Sequence, residues 1–266
     1  MVIIRGKRSV RTLFAGLALC MSAPAFSAIQ MWNWDPSSDS FSSSNWGNTL
    51  SMSEGGVGLT VSGWSDTDDL SGDDEVQNAK LIWANSSSLG VQNRDEGTSS
   101  PDHSIDSVTS DPDGEFDMVL LEFDTAVALE GIDLSWARGA GSNKTDISIL
   151  AYDGTGSSSL AGNTWADIFS GNGGNYDSVG NYSGVGLSYY AVNPGDVMST
   201  KWLIGVYNPV FGSGGDYGDD GFKLDLVKTS TSEDPPSETP VPGSLPMILL
   251  GLVLLRKKFS ARSAAV

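Results

Sequence analysis

The chain has 266 residues, carries 15 Lys and Arg against 33 Asp and Glu, and has a formal net charge of −18. A protein this acidic cannot neutralise a run of phosphates, which excludes a nucleic-acid binder. Charged residues make up only 18% of the chain and glycines number 32, a composition unlike that of a coiled coil. Four basic residues lie within the first 11 positions and four within the last 11, whereas all acidic residues lie between positions 31 and 238. Basic ends around an acidic middle predict an exported body with two membrane-addressed ends.

Residues 1–28 have the pattern of a secretory signal peptide. A basic stretch is followed by an apolar run at 12–21 and by small residues at 22–28. The run of ~10 residues is too short to span a bilayer. Cleavage after Ala25 fits the small-x-small rule, and cleavage after Ala28 is the alternative. Either cut removes Cys20, the single cysteine, so the mature protein would have no disulfide, thiol nucleophile or cysteine-based zinc site.

Residues 29–228 predict one all-β domain. Short β-prone segments recur between clusters of Gly, Asn, Asp and Ser, and no long stretch has helical periodicity. Seven or more such strands in one domain indicate a single antiparallel β-sandwich of the jelly-roll-like kind. One helical turn is predicted at 165–169. The predicted strands cover residues 57–64, 79–84, 118–123, 127–136, 146–152, 201–207 and 222–227.

The composition changes after residue 228. Residues 229–241 are polar and rich in Pro, Ser and Thr, which predicts an extended linker. Residues 242–266 contain an apolar run at 245–255 and then a basic cluster, Arg256, Lys257 and Lys258. A helix made from that run would cover ~16 Å, about half of a hydrocarbon core. The pattern therefore predicts a C-terminal sorting signal with a short transmembrane segment, held transiently by the basic residues.

This C-terminal pattern resembles the PEP-CTERM-type tail, which is read by exosortase, a membrane sorting enzyme of Gram-negative bacteria that make exopolysaccharide. The common form has Pro-Glu-Pro where this chain has Pro242, Gly243 and Ser244. A second stretch, Leu89-Gly90-Val91 followed by Ser100-Pro101-Asp102-His103, is similar to a group of exosortase-dependent surface proteins. The residues that carry the sorting motif are Val241, Pro242, Gly243, Ser244, Leu245 and Pro246.

The resemblance implies a non-enzymatic protein with exosortase as its membrane partner. It would be exported across the inner membrane, exist first as a membrane-associated precursor, and then reach the cell surface or the extracellular matrix of a biofilm. Exopolysaccharide is the further partner that this address suggests.

No motif in the sequence supports an enzyme. The chain has one histidine, His103, in a polar loop, and it has no Gly-x-Ser-x-Gly elbow. Without a cluster of histidines, zinc, copper and iron sites are not expected, and no glycine-rich phosphate loop supports nucleotide binding. A glycosidase needs only two carboxylates, and nothing in the sequence singles out a pair.

Aspartate-rich turns predict calcium as a cofactor. Aspartate outnumbers glutamate by 25 to 8, and calcium takes oxygen ligands at short spacing on turns. The alternative is that aspartate serves the turns themselves, because its short side chain bonds the nearby backbone. The candidate ligands are Asp111, Asp113, Glu115, Asp216, Asp219 and Asp220.

Six of the eight tryptophans fall into two groups. Those on predicted strands are expected in the core: Trp64, Trp83, Trp136 and Trp202. Trp32 and Trp34 precede any predicted strand, and paired aromatics on a sandwich are suited to stack on sugar rings. They motivate an alternative function, a lectin-like polysaccharide-binding module at the cell surface.

Overall fold

The computed structural model describes residues 27–67, 75–94, 103–107, 115–139, 141–216 and 218–232. These ranges contain thirteen strands and one short helix, besides two 3-10 turns. The elements are β1 (Ala28–Asn33), β2 (Thr49–Glu54), β3 (Val57–Thr67), β4 (Glu75–Asn78), β5 (Lys80–Trp83), β6 (Leu89–Gln92), β7 (Ile105–Asp106), β8 (Asp117–Arg138), β9 (Thr145–Tyr152), α1 (Trp165–Ile168), β10 (Tyr176–Val185), β11 (Tyr190–Ala191), β12 (Met198–Val206) and β13 (Gly221–Thr231).

The strands join into one large antiparallel sheet. Its main path runs β10-β9-β12-β8-β13-β6-β5, while β3 pairs with β8 and carries β2 and β4, and β1 pairs with β13. The all-β, antiparallel prediction is therefore confirmed. The predicted helical turn is also confirmed as α1, where Thr164 and Asp167 form a capping box that supplies partners for the first backbone amides.

The longest strand, β8, replaces two shorter predicted strands. The sequence prediction broke the chain at 124–126, but the structure continues through it for 22 residues. The first part of β8 pairs with β3 and the last part with β13. The ladder between β12 and β8 has a register shift: Ser199 of β12 pairs with Val127 of β8, whereas Lys201 pairs with Glu122. The intervening β8 residues Asp124, Thr125 and Ala126 are exposed. They lie where the partner of β8 changes from β3 to β13. Irregularities in a ladder commonly occur at such places.

Strand β3 also packs against two strands with which it forms no ladder. A Cβ atom built at Gly63 of β3 would lie 3.3 Å from Val91 of β6 and 3.6 Å from Leu81 of β5. The side chains of Val91 and Leu81 are both fully buried. At Gly63, β3 therefore packs on the part of the sheet that contains β5 and β6.

The aromatic part of this core contains side chains from β1 and β8. Trp32 of β1 is 1% exposed and meets Phe123 of β8 edge to face, with ring centroids 5.6 Å apart. Its indole Nε1 donates a hydrogen bond of 2.9 Å to Oγ1 of Thr229. Without this bond, the indole nitrogen would be buried without a partner. Burying side chains of this size supplies much of the hydrophobic stabilisation of a sheet protein.

The domain boundaries differ slightly from the predicted ones. Strand β13 continues to Thr231, so residues 229–231 belong to the sheet, although the predicted linker begins at 229 and the predicted last strand ends at 227. Thr229 is fully buried. At the other end, β1 begins at Ala28, which pairs with Thr231. Composition alone predicts Thr229, Ser230 and Thr231 to be linker residues, but in the structure they pair with β1.

Several strands have no clear sequence signal. Strands β1, β2, β4, β6, β7, β10 and β11 were not predicted, and β10 is the longest of them. Its sequence is rich in Gly, Ser and Asn, which have low β propensity. It forms because it pairs with β9 along its whole length, in an antiparallel ladder that contains two register shifts. Within the described residues, no helix is long and apolar enough to cross a membrane; the predicted signal peptide core and C-terminal apolar run lie outside them.

Candidate functional site: a row of buried aspartates

Among the residues that the structure describes, five aspartate side chains are buried near the ends of strands. Burying an ionised carboxylate is costly unless hydrogen bonds or a cation compensate the charge. Five of them in one domain therefore require an explanation from their surroundings. The members of this aspartate row are Asp66, Asp106, Asp117, Asp146 and Asp220.

The first three members tie loops to the sheet. Asp66, near the end of β3, accepts a hydrogen bond of 2.5 Å from the backbone amide of Phe116. Asp117, the first residue of β8, accepts one of 3.4 Å from the amide of Asp106 in β7. Asp106 in turn accepts a bond of 2.5 Å from the hydroxyl of Ser104. The carboxylates of Asp66 and Asp117 thus satisfy backbone amides, the turn-stabilising role that aspartate commonly has, and that of Asp106 accepts from a hydroxyl.

The other two members lie side by side. Asp146 Oδ1 accepts a bond of 2.7 Å from the amide of Gly184, and its Oδ2 accepts one of 2.6 Å from the amide of Asp216. Asp220 Oδ1 accepts a bond of 2.7 Å from the amide of Asp146 and one of 3.3 Å from the hydroxyl of Thr145. The pair therefore fastens the turn before β13 to the start of β9.

Hydrogen bonds satisfy the carboxylate of Asp220 only in part. Its side chain is fully buried, and its Oδ2 atom has no hydrogen-bond partner. The pKa of Asp220 is raised to about 7, and burial is the largest cause; the hydrogen bonds to Oδ1 lower the pKa, whereas the negative charges of Asp146 and Asp219 raise it. An acid of this kind takes up a proton more readily than an exposed aspartate does.

The predicted calcium ligands fall into three groups. Asp111 and Asp113 lie outside the described residues. Glu115 is half-buried and accepts a bond of 2.6 Å from Asn93. The remaining three lie in the turn before β13, where only Asp220 is buried, whereas Asp216 and Asp219 are exposed. Asp216 contributes its backbone amide, not its carboxylate, to the contact with Asp146.

Among the described residues, no three His, Cys, Asp or Glu side chains are grouped so as to form a ready-made metal centre. The calcium prediction for the six residues stays a prediction. The structure adds Asp146, which the sequence did not single out because it lies inside an apolar strand, 74 positions from Asp220. Only the pairing of β9 with its neighbours brings the two carboxylates together.

The proposed aromatic platform for sugars is wrong for Trp32 and Trp34. Their exposed fractions are 1% and 2%, so neither ring offers a face to a ligand. The reason is that Trp32 lies on β1, which has no clear sequence signal and which pairs with β13, and Trp34 follows directly after it. Among the four tryptophans expected in the core, Trp202 is fully buried, while Trp64, Trp83 and Trp136 are half-buried.

A second polar cluster, which the sequence did not indicate, lies where β8 and β13 each skip a partner. The ladder passes over Ser135 on β8 and Asp225 on β13. Ser88 Oγ lies 2.5 Å from Ser135 Oγ and 3.1 Å from Asp225 Oδ1, so the segment between β5 and β6 is bound to the sheet. Burial, and then the charge of Asp225, raise the pKa of nearby Asp133. The irregularities turn polar side chains toward one another, which alternation along a strand would not predict.

Neither His103 nor the described surface hollow suggests catalysis. His103 is exposed in the turn before β7. The hollow has a volume of about 110 Å³, well below the roughly 300–1,000 Å³ of ordinary ligand pockets. It is lined by Ser157, Ser159, Asn163, Asp167, Ile168, Asn175 and Tyr176.

Comparison of the chain with protein-family models, with curated proteins and with solved structures found no match.

Proposed function

We propose that the protein is a non-enzymatic, exported surface protein that an exosortase sorts through its C-terminal signal. Display at the cell surface or in the extracellular matrix is the end point. The structural observation that supports this proposal is the position of the two ends of the folded body. Ala28, the first residue of β1, pairs with Thr231, the last residue of β13.

The first and last strands of the body therefore end beside each other. Ser27 strengthens this end of the sheet, because its hydroxyl donates a hydrogen bond of 3.0 Å to the carbonyl of Thr231. Removing residues before 26 or after 232 breaks none of the strand pairs of the described sheet. A body built in this way tolerates cleavage at both ends, as a protein with a removed signal peptide and a processed tail must.

We further infer that the body is a β-sandwich of the jelly-roll-like kind. The support comes from β8, which changes neighbours at 124–126, and from β3, which packs on β5 and β6 without pairing with them. A continuous sheet that folds over itself in this way places two layers around one core. Such a rigid body suits display, because the signals at its ends can be read without unfolding it.

The polysaccharide-binding alternative is the weaker proposal. It was motivated by Trp32 and Trp34, and both rings are buried. The ammonium group of Lys223 lies 5.6 Å from the ring centre of the half-buried Trp136. One face of this ring is therefore already in contact with a cation of the protein itself.

The sorting proposal is tested by changing the tail in a producing cell. Deleting residues 245–266 should abolish surface retention and leave export intact, because the body and the signal peptide are unchanged. Replacing Pro242 and Pro246 together with alanine should have the same effect. The matched control replaces Pro235 and Pro236, which belong to the polar segment, and should be displayed normally. Normal display of the truncated chain would contradict the proposal.

A further inference from the structure

The side chain of Asp220 has an oxygen without a partner inside the protein. The residue is 0% exposed and its Oδ2 atom forms no hydrogen bond, while Oδ1 of the same carboxyl group contacts the start of β9. A buried acceptor left in this state costs free energy, more so when it carries charge. Native proteins rarely keep such an atom unless something else binds it.

The surroundings of this oxygen are negative. Asp146 lies next to Asp220, because its backbone amide donates a hydrogen bond of 2.7 Å to Asp220 Oδ1, and Asp219 precedes Asp220 in the chain. Among the residues that the structure describes, neither Asp146 nor Asp220 forms an ion pair with a lysine or arginine; the described ion pair joins Lys201 to Glu122. The attractive interactions of the pair are thus hydrogen bonds from amides and a hydroxyl, which leave the net charge uncompensated.

We propose that Asp220 and Asp146 bind a divalent cation, calcium, between the start of β9 and the turn before β13. Both residues offer carboxylate oxygens, the hard ligands that calcium prefers. Calcium accepts irregular sets of six to eight oxygens and completes them with backbone carbonyls and water, whereas magnesium requires a near-ideal octahedron and gives up its water reluctantly. Two carboxylates are few for a calcium site, and the absence of a third in the described residues predicts weak affinity, since affinity follows the charge count of the ligands.

Weak affinity sets the conditions of the test. Sites of this kind in extracellular modules have dissociation constants of about 10⁻⁴–10⁻³ M. At about ten times the dissociation constant, binding to the folded state alone shifts the ratio of folded to unfolded protein by about tenfold. For a domain of this size, that shift raises the melting temperature by about 3–6 °C.

The experiment follows thermal unfolding of the full chain by tryptophan fluorescence. Melting curves are recorded in chelator, in about 10 mM calcium and in the same concentration of magnesium, with ionic strength matched by sodium chloride. Calcium should raise the melting temperature and magnesium should raise it less. The variant Asp220→Asn should fold in chelator at least as well as the original chain, because it removes a buried charge, and it should lose the response to calcium.

The matched control is Asp177→Asn, which removes one carboxylate from an exposed position of β10 and should keep the full response. This control separates binding at the pair from general screening of an acidic protein. An equal calcium response in Asp220→Asn and in the original chain would overturn the proposal, since calcium would then act elsewhere. The same melting temperature in chelator and in calcium would also overturn it.

Discussion

Single buried polar atoms decide how the two ends of the body hold together. Thr229 lies on the last strand and links two residues of the first: its Oγ1 accepts the bond from Trp32 Nε1 and donates one of 3.1 Å to Gln30 Oε1. All three residues are at most 1% exposed. One hydroxyl group thus satisfies an indole and an amide that have lost their contact with water.

We expect Thr229→Val to destabilise the protein by about 1–3 kcal/mol, because the change keeps the shape of the side chain but leaves two buried polar groups without a partner. Chemical denaturation of the full chain measures the loss. Thr231→Val, on the same strand but only half-buried, is the control and should change stability by no more than about 0.5 kcal/mol. Equal effects of the two changes would show that Thr229 is not the link between the two strands.

At the scale of elements, β8 and β12 approach closely where β12 carries glycine. A Cβ atom at Gly205 would lie 2.4 Å from Cγ of Met118 and 2.5 Å from the carbonyl oxygen of Asp117. Both atoms belong to β8, and the second is backbone, which cannot rotate away. The residue therefore keeps the start of β8, including one member of the aspartate row, against β12.

Gly205→Ala should cost about 1–3 kcal/mol, the usual price of an overpacked core. Its control is Gly195→Ala, since a Cβ at that exposed position would meet nothing closer than Val197 Cγ2, at 4.0 Å. Melting temperatures of the two variants compare them directly. A normal melting temperature for Gly205→Ala would mean that β8 and β12 can separate without loss of stability.

At the scale of the whole molecule, residues 27–232 form one compact unit. Its first and last strands are hydrogen-bonded partners, so its ends are neighbours. Ser27 and Ala28 contribute to that pairing. A signal peptide cut after Ala28 would remove both residues from the sheet, whereas a cut after Ala25 would retain them.

We therefore expect the mature surface form to begin at Phe26 and to end near Pro242. Intact-mass measurement on protein released from the cell surface checks both ends at once. The reason is physical at each end: the first cut preserves β1, and the second removes only residues beyond the last strand. A mass that includes Arg256–Arg262 would show that the tail is a plain anchor, and a first residue of Ile29 would show that the pairing of Ala28 is dispensable.

The strands with strong apolar patterns could be predicted from the sequence. Residues 57–64, 146–152 and 201–207 alternate or form continuous apolar runs, and the structure has β3, β9 and β12 there. Strands such as β1 and β10 could not be predicted, since their own residues favour strand weakly and their partner strands supply the stabilisation. The continuity of β8 was missed because Asp124, Thr125 and Ala126 look like a turn when no neighbouring strand is known.

The sequence by itself determined the acidic composition, the all-β class and the two terminal patterns, because each depends on residue types within a short window. Tertiary structure decided that Trp32 and Trp34 are core residues, that residues 229–231 complete the last strand, and that Asp146 lies beside Asp220. These outcomes depend on strand pairing between residues as much as 203 positions apart, as for Ala28 and Thr231 (231 − 28 = 203). Periodicity along the chain reports which face of a strand is apolar, but not which distant strand will cover that face or share its hydrogen bonds.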